Sequence, residues 1–465
     1  MINLKASNWR VKIHQLSFTI HNSQFTIKML NPVKVGILGL GTVGGGTVHV
    51  LQRNAEEIAR RAGRGIIVTS ACAKELNKTH PYDTDDIVLT ANLVDVINNP
   101  EIEIIIELLG GTTIARDMTL QAIANGKHIV TANKALIATH GNEIFAAAQE
   151  KGVMVAFEAA VGGGIPIIKA VREGLAANKI EWIVGIINGT SNFILTEMRD
   201  KGSDFSEVLA EAQRLGYAEK DPTFDIEGVD AAHKLTILAS IAFGIPLQFE
   251  KVYMEGITNI ISEDVQYANE LGYRIKHLGI TKRTDKGIEL RVHPTFVPHK
   301  RLLANVEGVM NALLVESDAL GQSLYYGAGA GALPTGSAIV ADLVDVTRAL
   351  TTDTGNRVPH LAFQADALSD VPIVPIEEIE TLYYLRMSAL DKLGVMAHVT
   401  NILSENGISI EAIIQKEPAN GAAHVSIVML THKVVEKQLN QAIDAIEKLD
   451  GIIGQVTRIR VEMLS

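Results

Sequence analysis

Acidic and basic side chains gather in one short run of the sequence, residues 216–235, which reads GYAEKDPTFDIEGVDAAHKL. Asp230 and Lys234 are four residues apart, so on a helix they share one face. The helix continues into LTILASIAF, which favours burial. A lysine at the wet end of a buried helix can be partly desolvated, which lowers its pKa and suits it to exchange protons with a substrate oxygen. An exposed ion pair would explain the same spacing.

Other polar groups of this run could hold a small charged molecule. Glu219, in the loop before the helix, could accept hydrogen bonds from a substrate ammonium group. Asp230 could orient the lysine or hold a substrate hydroxyl, whereas His233 points off the shared face and is expected to be structural. The run therefore predicts a site that binds a zwitterion and moves a proton, and the alternative is a solvated loop.

A glycine-rich turn, GLGTVG, follows an apolar strand and opens a helix near the start of the chain. In a G-x-G-x-x-G turn the first glycine permits the bend, the second admits a pyrophosphate, and the third lets helix and strand pack closely. The context favours a dinucleotide site over a purely structural turn. The predicted cofactor contacts are Gly39, Leu40, Gly41, Thr42, Val43 and Gly44.

The end of the second strand, ACAKEL, bears on which dinucleotide binds. NAD sites usually place an acidic residue there to hold the ribose 2′-hydroxyl, and a cation favours the 2′-phosphate of NADP. Lys74 comes first and Glu75 follows, so NADP is favoured and NAD stays an alternative. Lys134, in TANKALI, follows a parallel strand at the sheet edge where ligands bind, although a surface helix-cap lysine fits its position equally.

The order of the elements predicts an α/β fold of three parts. Strands that alternate with helices indicate a Rossmann-type doubly wound parallel sheet, followed by a second, α+β domain. A terminal βαββαβ order is typical of a ferredoxin-like module. The predicted boundaries are an extension at 1–28, a nucleotide domain at 29–160 completed by 322–350, a substrate domain at 161–321, a linker at 351–381 and the terminal module at 382–465.

Composition limits the possible partners and compartment. The chain has 465 residues and a formal net charge of -11, which argues against nucleic acid or an anionic membrane as the main partner. One cysteine, Cys72, permits no intramolecular disulfide and fits a reducing cytoplasm. No apolar stretch is long enough to span a bilayer, and no signal-peptide pattern is found. Residues 1–28 are interpreted as an upstream extension of little role before a natural start at Met29.

Five ordered motifs resemble those of the homoserine dehydrogenase family over about residues 33 to 350. They are GYAEKDPTFDIEGVDAAHKL, TANKALI, FEAAVGGGIPI, IINGTSNFIL and GAGAGALPTGSA. The terminal module, about 382 to 460, resembles the ACT domain of many bacterial members. The resemblance implies NAD(P)-dependent interconversion of L-homoserine and L-aspartate 4-semialdehyde, on the branch toward threonine, methionine and isoleucine.

The resemblance also implies roles for individual residues. Lys234 matches the acid/base lysine, Lys134 a second lysine near nicotinamide and substrate, and Glu219 and Asp230 the substrate-binding carboxylates. Asn188, Gly189 and Thr190 match the lining of the substrate cleft. Gly331 and, less closely, Thr112 match cofactor contacts. Lys74 stands where NADP-preferring members often carry arginine, and because lysine lacks the planar fork, selectivity for the 2′-phosphate is expected to be weaker.

A cation loop is implied by FEAAVGGGIPI. The Glu158 carboxylate would join the backbone carbonyls of Val161, Gly163 and Ile165 around Na⁺ or K⁺, since hard oxygen ligands suit such an ion. The alternative, which the residues alone favour, is a tight glycine turn that Glu158 caps.

Regulation and assembly are further expectations from the resemblance. Threonine is the expected inhibitor, bound between paired ACT modules of a cytoplasmic homodimer or homotetramer. The rival hypotheses are a different amino-acid dehydrogenase on the same nucleotide fold, and an amino-acid-sensing regulator in which the dehydrogenase fold is inert.

Overall fold

A computed structural model describes residues 31–76, 82–351, 357–416 and 424–464. The predicted extension at residues 1–28 lies outside the described residues. Within the described residues, no helix is both long enough and apolar enough to cross a membrane.

The first sheet contains six strands in the described part of the chain. They are β1 (Val33–Leu38), β2 (Ile66–Cys72), β3 (Val88–Thr90), β4 (Ile104–Glu107), β5 (His128–Thr131) and β6 (Val155–Ala156). Their order is β3-β2-β1-β4-β5-β6, and all neighbouring pairs are parallel. The order reverses between β1 and β4, where doubly wound sheets bind their ligands. The predicted doubly wound parallel sheet is confirmed.

Helices cover both faces of this sheet. The first five are α1 (Thr42–Arg53), α2 (Ala55–Ala62), α3 (Leu93–Asn98), α4 (Thr113–Ala124) and α5 (Lys134–Lys151). One apolar core joins α3, α4 and α5 to one face of the strands, and a second core joins α1 and α2 to the other face. Burial on both faces explains why the strands are apolar throughout rather than alternating.

A mixed sheet follows with its own helices. Its strands are β7 (Ile180–Ile186), β8 (Tyr253–Met254), β9 (Tyr273–Thr284), β10 (Gly287–Pro298), β11 (Met310–Ser317) and β12 (Gly321–Ala328). The helices are α6 (Ile167–Lys169), α7 (Gly189–Lys201), α8 (Phe205–Arg214), α9 (Thr223–Ile226), α10 (Val229–Phe243), α11 (Ser262–Glu270) and α12 (Ala332–Ala349). Every residue of α10 from Asp230 onward is buried, as its apolar sequence indicated. It packs against α5 on one side and β9 on another, so it joins the two sheets.

The late glycine-rich helix α12 returns to the first sheet. A Cβ on Gly46 of α1 would lie 2.1 Å from the Ala332 carbonyl oxygen, and a Cβ on Gly336 would lie 2.8 Å from the Gly46 carbonyl carbon. Only glycine at both positions permits so close a crossing. Strand β12, which falls within the stretch expected to complete the nucleotide domain, instead pairs with β11 in the mixed sheet.

The C-terminal part has the predicted ferredoxin-like order. Its elements are β13 (Glu380–Leu390), α13 (Val395–Glu405), β14 (Ile410–Gln415), β15 (His424–Thr431), β16 (Val434–Val435), α14 (Glu436–Ile446) and β17 (Ile452–Val461). The strand order is β17-β13-β15-β14. Strand β17 also pairs in parallel with β10, at Thr295↔Arg460 and Phe296↔Val461. The sheet of this module is therefore continuous with the mixed sheet.

Some elements differ from the pattern that the sequence predicted. The strand expected at VMVAFEAAV is reduced to β6 and a 3-10 turn at Glu158–Ala160. The helix expected at IIKAVREGLAAN is the short α6, continued by a π-helical turn at Ala170–Gly174. The linker is packed where it is described, since Ile373 bridges to Ile288 and His360 stacks on Phe145 at 5.0 Å.

Candidate active site

Lys234 and Asp230 form a buried ion pair on the first turns of α10. The Lys234 ammonium donates to Asp230 Oδ2 at 2.7 Å and to the Ile187 carbonyl oxygen at 2.7 Å. Lys234 is 9% exposed and Asp230 is 4% exposed. The pair is therefore not the exposed surface pair that the spacing alone allowed.

Lys134 reaches the same carboxylate from the other domain. It is the first residue of α5, directly beyond β5, and its Nζ lies 3.1 Å from Asp230 Oδ1. Its side chain is 35% exposed, and its ammonium lies 5.8 Å from the ring centroid of Phe224. Two ammonium groups thus flank one carboxylate at the carboxyl edge of the parallel sheet.

Amide and hydroxyl groups from the turn before α7 complete this cluster. Asn188 Nδ2 donates to Asp230 Oδ2 at 2.9 Å and to Asp225 Oδ1 at 2.8 Å, while its Oδ1 caps α7 by accepting from the Ser191 amide. Thr190 Oγ1 donates to Asp225 Oδ2 at 3.1 Å. Sequence reasoning did not identify Asp225. The available signal was the density of carboxylates in residues 216–235, the run to which Asp225 belongs.

Gly189 lies against the backbone of the mixed-sheet domain. A Cβ there would be 2.8 Å from the Val309 carbonyl oxygen, so the turn can approach only because the residue is glycine. This close approach keeps Asn188 and Thr190 directed toward Asp225.

The charges of the cluster determine the ionisation of its carboxylate. Burial raises the pKa of Asp230, but the ammonium groups of Lys234 and Lys134 outweigh burial and hold that pKa well below its usual range. Asp230 is therefore ionised near neutral pH and cannot serve as a proton donor there. The neighbouring His233 is buried between Phe224 and Phe249, and burial lowers its pKa to about 4, so it is a neutral packing group.

Glu219 does not join the cluster. It is exposed, and in the described part of the chain its backbone oxygen accepts from Gln213 Nε2 while its carboxylate makes no hydrogen bond or ion pair with the cluster. Its predicted contact with a substrate ammonium group stays a prediction.

The glycine turn has the shape that a pyrophosphate requires. Gly39 has φ +106°, and a Cβ on it would lie 2.7 Å from the Leu108 carbonyl oxygen. A Cβ on Gly44 would lie 2.5 Å from the Gly39 carbonyl oxygen, which is the close strand–helix contact expected of the third glycine. No heavy atom lies within 4 Å of the corresponding position at Gly41, the residue before α1. The described residues therefore fit a dinucleotide.

The other predicted cofactor residues surround this turn. Leu40 is buried and its amide, like that of Gly39, donates to the Cys72 carbonyl oxygen, while Thr42 and Val43 begin α1. Thr112 precedes α4, and Gly331, with φ +124°, precedes α12 beside α1. Lys74 is exposed just beyond β2, and residues 77–81 after it lie outside the described part.

The loop predicted to bind a cation is capped by Glu158. This buried carboxylate accepts from the Ile168 amide at 2.9 Å and the Lys169 amide at 2.8 Å, which is the capping alternative. Burial, followed by the charge of Asp342, raises the pKa of Glu158 to about 7. In the described residues no three His, Cys, Asp or Glu side chains are grouped to hold a metal, so a cation here would depend mainly on backbone carbonyls.

Those carbonyls belong to a loop that packs on the glycine turn before α12. A Cβ on Gly163 would lie 2.4 Å from the Gly329 carbonyl oxygen, and the carbonyl of Ile165 already accepts from the Ile167 amide at 2.8 Å. The amide of Val161 donates back to the Glu158 carbonyl oxygen at 3.4 Å. The predicted cation of this loop stays a prediction.

A cavity lies away from this cluster of charged residues. It has a volume of about 680 Å³ and lies beside the C-terminal half of α5, with Phe145, Arg357 and His360 in its lining. None of the predicted site residues lines it. The convergence of two lysines on a buried carboxylate is the stronger indication of an active site.

Models of three protein families match the chain in order. They are "Homoserine dehydrogenase, NAD binding domain" at residues 39–158, "Homoserine dehydrogenase" at 166–344 and "ACT domain" at 383–451. A homoserine dehydrogenase of Pseudomonas aeruginosa is 65% identical over 94% of this chain and 100% of its own length. The chain belongs to the homoserine dehydrogenase family.

A more distant relative and a solved structure support the same family assignment. The homoserine dehydrogenase of Bacillus subtilis is 36% identical over 93% of this chain and 99% of its own length. The crystal structure of a homoserine dehydrogenase from Thiobacillus denitrificans superposes with a TM-score of 0.89 at 62% identity, covering 93% of this chain and 99% of the other. The homoserine dehydrogenase fold with a C-terminal ACT domain is therefore shared along the matched length.

Proposed function

We propose that the chain catalyses the NAD(P)-dependent interconversion of L-homoserine and L-aspartate 4-semialdehyde. The observation that carries the proposal is the buried Lys234–Asp230 pair, with Lys134 on the other carboxylate oxygen, at the carboxyl edge of a dinucleotide-type sheet. This edge is where a small substrate can lie beside a bound nicotinamide. Membership in the homoserine dehydrogenase family supports the choice of substrate.

Lys234 is the proposed proton donor and acceptor. Two of the three N–H donors of its ammonium are used by Asp230 and by the Ile187 carbonyl, and the third can meet the substrate oxygen. As the aldehyde is reduced, the proton moves from Lys234 Nζ to the new alkoxide, and it returns when the alcohol is oxidised. A bound NAD(P) supplies the hydride that the reduction consumes.

Asp230 and its neighbours orient the reacting groups. Asp230 fixes both ammonium groups, and Asn188 fixes Asp230 through Oδ2. Lys134, at the first turn of α5, is the group proposed to lie beside both nicotinamide and substrate. Glu219 and Asp230 are proposed to hold the substrate amino acid. Fixed positions of this kind lower the entropy cost of reaching the transition state.

NADP is the proposed cofactor, with NAD as the alternative. The first and third glycines of the turn fit close backbone packing, and Lys74 supplies a cation at the end of β2. A hyperthermophilic archaeal homoserine dehydrogenase, 25% identical to this chain, was solved in complex with NADPH. Comparing steady-state oxidation of homoserine with NADP and with NAD decides between the two cofactors.

The decisive test is replacement of Lys234 by alanine. Turnover should fall by roughly 100-fold or more, because a positioned acid–base group is lost. NADPH binding, followed by fluorescence, should be unchanged because Lys234 lies on α10, outside the glycine turn. The matched control is Lys286→Ala at an exposed lysine. Near-normal turnover of Lys234→Ala would reject the assignment, and activity only with another amino alcohol would favour a different dehydrogenase.

Regulation and assembly follow from the C-terminal ACT domain. We infer that threonine inhibits the enzyme by binding between paired ACT modules of a homodimer or homotetramer, within threonine, methionine and isoleucine biosynthesis in the cytoplasm. Assays with and without threonine, together with sedimentation, test this. Threonine that neither binds nor inhibits removes the proposal, and a chain that binds threonine but never turns over homoserine favours the regulator alternative.

A cation role is proposed for the Glu158 loop. Na⁺ or K⁺ would be held by the Glu158 carboxylate together with the carbonyls of Val161, Gly163 and Ile165, and the same carboxylate accepts from two amides of α6. The ion would stabilise the loop rather than act on substrate. Melting temperatures in sodium, potassium and choline chloride of equal ionic strength test this, and identical values in all three reject it.

A further inference from the structure

Glu107, the last residue of β4, is a fully buried carboxylate with neutral hydrogen-bond partners. It is 0% exposed. Its Oε2 accepts from Thr131 Oγ1 at 2.6 Å, and its Oε1 accepts from the Leu109 amide at 2.8 Å and from Asn133 Nδ2 at 3.5 Å. The other three residues of β4 are isoleucines, so no local sequence pattern marks this carboxylate.

One set of partners leads to the catalytic lysine of α5. Thr131 ends β5, and its Oγ1 accepts from the Asn133 amide at 2.9 Å. Asn133 in turn caps α5, because its Oδ1 accepts from the Leu136 amide at 3.1 Å. Lys134 is the next residue, so the orientation of its backbone depends on groups that Glu107 fixes.

The other partner leads to the turn between β4 and α4. Glu107 fixes the Leu109 amide, and Asn133 Nδ2 donates to the Gly111 carbonyl oxygen at 2.8 Å. This turn borders the glycine turn, since a Cβ on Gly39 would lie 2.7 Å from the Leu108 carbonyl oxygen. One carboxylate therefore ties the nucleotide side of the site to the helix that carries Lys134.

Burying a carboxylate here lowers the free energy of unfolding. Burial raises the pKa of Glu107, and its hydrogen bonds to Thr131, Leu109 and Asn133 only partly oppose this. The neighbouring Ile104, Ile105 and Ile106 of the same strand are also fully buried, so an apolar side chain suits the core there. Buried ionisable groups that the core does not need gather at functional sites.

We propose that Glu107 is a positioning residue that fixes Lys134 at Asp230, through Thr131 and Asn133, and fixes the 108–111 turn beside the nucleotide. The proposal rests on the proposed function, because Lys134 is taken to face substrate and nicotinamide. Glu107 itself touches no substrate. Its effect is on the placement of groups that do.

The test compares three variants at this network with a remote control. Glu107→Ala removes both acceptors, Glu107→Gln keeps Oε1 for Leu109 and Asn133, and Thr131→Val removes the link to Asn133. The control is Thr281→Val, a fully buried threonine whose Oγ1 donates to the Glu289 carbonyl oxygen in the mixed sheet. Activity, NADPH affinity and amide hydrogen exchange are measured on the full chain.

Glu107→Ala should lower kcat by about 10- to 100-fold, as loss of alignment does, with a smaller change in KM for homoserine. Glu107→Gln should recover most of that loss, and Thr131→Val should lie between them. Exchange in segments 108–112 and 131–136 should rise in Glu107→Ala and Thr131→Val but not in Thr281→Val. This exchange reports on positioning without requiring turnover.

Two results would overturn the proposal. The first is Glu107→Ala with kcat and exchange within twofold of the parent, and the second is a loss that Thr281→Val reproduces in full. If Glu107→Ala does not fold, Glu107→Gln and Thr131→Val carry the same comparison. A parent chain that does not oxidise homoserine contradicts the proposed function instead, and the exchange data then decide the role of Glu107 separately.

Discussion

Asp230 uses both of its carboxylate oxygens: Oδ1 faces Lys134 at 3.1 Å, and Oδ2 accepts from Lys234 and Asn188 at 2.7 and 2.9 Å. The two lysines come from different elements, α5 of the nucleotide sheet and α10 beneath the mixed sheet. A single side chain therefore sets the separation of the two ammonium groups. Since its pKa lies well below the usual range, its charge does not change across the neutral region.

Replacing Asp230 with asparagine should lower kcat/KM for homoserine by roughly 100-fold or more, because both lysines lose their counter-ion and their alignment. The control is Asp117→Asn, the same chemical change at an exposed position of α4. Steady-state kinetics at saturating NADP measure the effect. A value for Asp230→Asn within threefold of the parent would show that the carboxylate does not organise the site.

The sequence revealed part of this cluster and hid the rest for a physical reason. The spacing of Asp230 and Lys234 on one helix is local, so helical periodicity was sufficient to pair them. The contact of Lys134 with Asp230 joins residues 96 positions apart through tertiary packing, and position alone left that lysine undecided. Glu107 acts through partners on other elements, and no local pattern marks it. Asp225 also acts through other elements, and its only local signal was the density of carboxylates in its run.

At the scale of elements, the crossing of α1 and α12 supports the nucleotide side of the site. Gly46 and Gly336 let the two helices touch backbone to backbone. Gly331, predicted to contact the cofactor, directly precedes α12, so its position depends on how closely α12 approaches α1. The glycine turn directly precedes α1, so its position depends on the same helix crossing.

Gly46→Ala should destabilise the protein and weaken nucleotide binding together. The added methyl would lie 2.1 Å from the Ala332 carbonyl oxygen, and separating the helices should cost about 1–3 kcal/mol. Gly174→Ala is the matched control, because no heavy atom lies within 4 Å of the corresponding position there. Urea denaturation and NADPH titration measure the two effects. Equal free energies of unfolding for Gly46→Ala and Gly174→Ala would mean that α1 and α12 can separate without a cost in stability.

Elements were predicted well where they are long and marked by caps or glycines. Strand β1, its glycine turn and α1 were found from one contiguous pattern, and so was the βαββαβ order of the terminal module. Strand β3, with three residues, was missed, and β6, with two residues, was predicted to be longer than it is. Both strands are too short to give a periodic signal. The π-helical turn after α6 has no signature in local propensity.

At the scale of the whole molecule, burial lowers the pKa of five described histidines, of which four are buried and His360 is partly buried. They are His128, His233, His277, His293 and His360. Burial lowers the pKa of His360 to about 4, and its Nε2 accepts from the Val155 amide of β6. Burial likewise lowers the pKa of His128 to about 4, and its Nδ1 accepts from the Met154 amide. Protonation would remove both acceptors from the edge of the first sheet.

The stability that these histidines contribute should therefore be lost as the pH falls from about 6.5 to about 4, whereas Glu158, with its pKa raised to about 7, contributes in the opposite sense. In this window the unfolded chain takes up protons that the folded histidines refuse, so the free energy of unfolding decreases with decreasing pH. Replacing His360 with glutamine, which accepts a hydrogen bond but does not titrate there, should flatten this dependence by up to about 1.4 kcal/mol per pH unit. Exposed His432→Gln is the control. Parallel stability curves for parent and His360→Gln would contradict the assignment.

The continuity of the terminal module's sheet with the mixed sheet could not be predicted from sequence. The terminal module has a complete local pattern, which suggested an independent unit on a linker. The parallel pairing of β17 with β10 joins residues 165 apart, such as Thr295 and Arg460, and no periodicity reports it. The consequence is that the ACT domain and the substrate domain share backbone hydrogen bonds as well as side-chain contacts.

Arg460 is a fully buried charge at this junction, so its replacement tests the shared sheet. Its guanidinium donates to Glu436 Oε2 at 2.8 Å within the module and to Glu255 Oε2 at 2.7 Å in the substrate domain. Arg460→Met should cost about 3–5 kcal/mol in unfolding free energy, because the buried Glu436 loses its closest cation and keeps the Tyr383 hydroxyl at 3.1 Å and the more distant Arg458 guanidinium at 3.5 Å. Arg460→Met/Glu436→Met should recover part of that loss, and Lys416→Met at an exposed pair should change little.

The number of unfolding transitions distinguishes a shared sheet from a module that folds independently. If β10 and β17 form one cooperative unit, Arg460→Met lowers the transition of the whole chain, and amides of β9, β10, β13 and β17 lose protection together. If the module were independent, calorimetry would give two transitions, and among these strands only β13 and β17 would lose amide protection. A cooperative loss would show that the ACT domain and β10 unfold together, and β10 in turn packs against α10, the helix that carries Lys234.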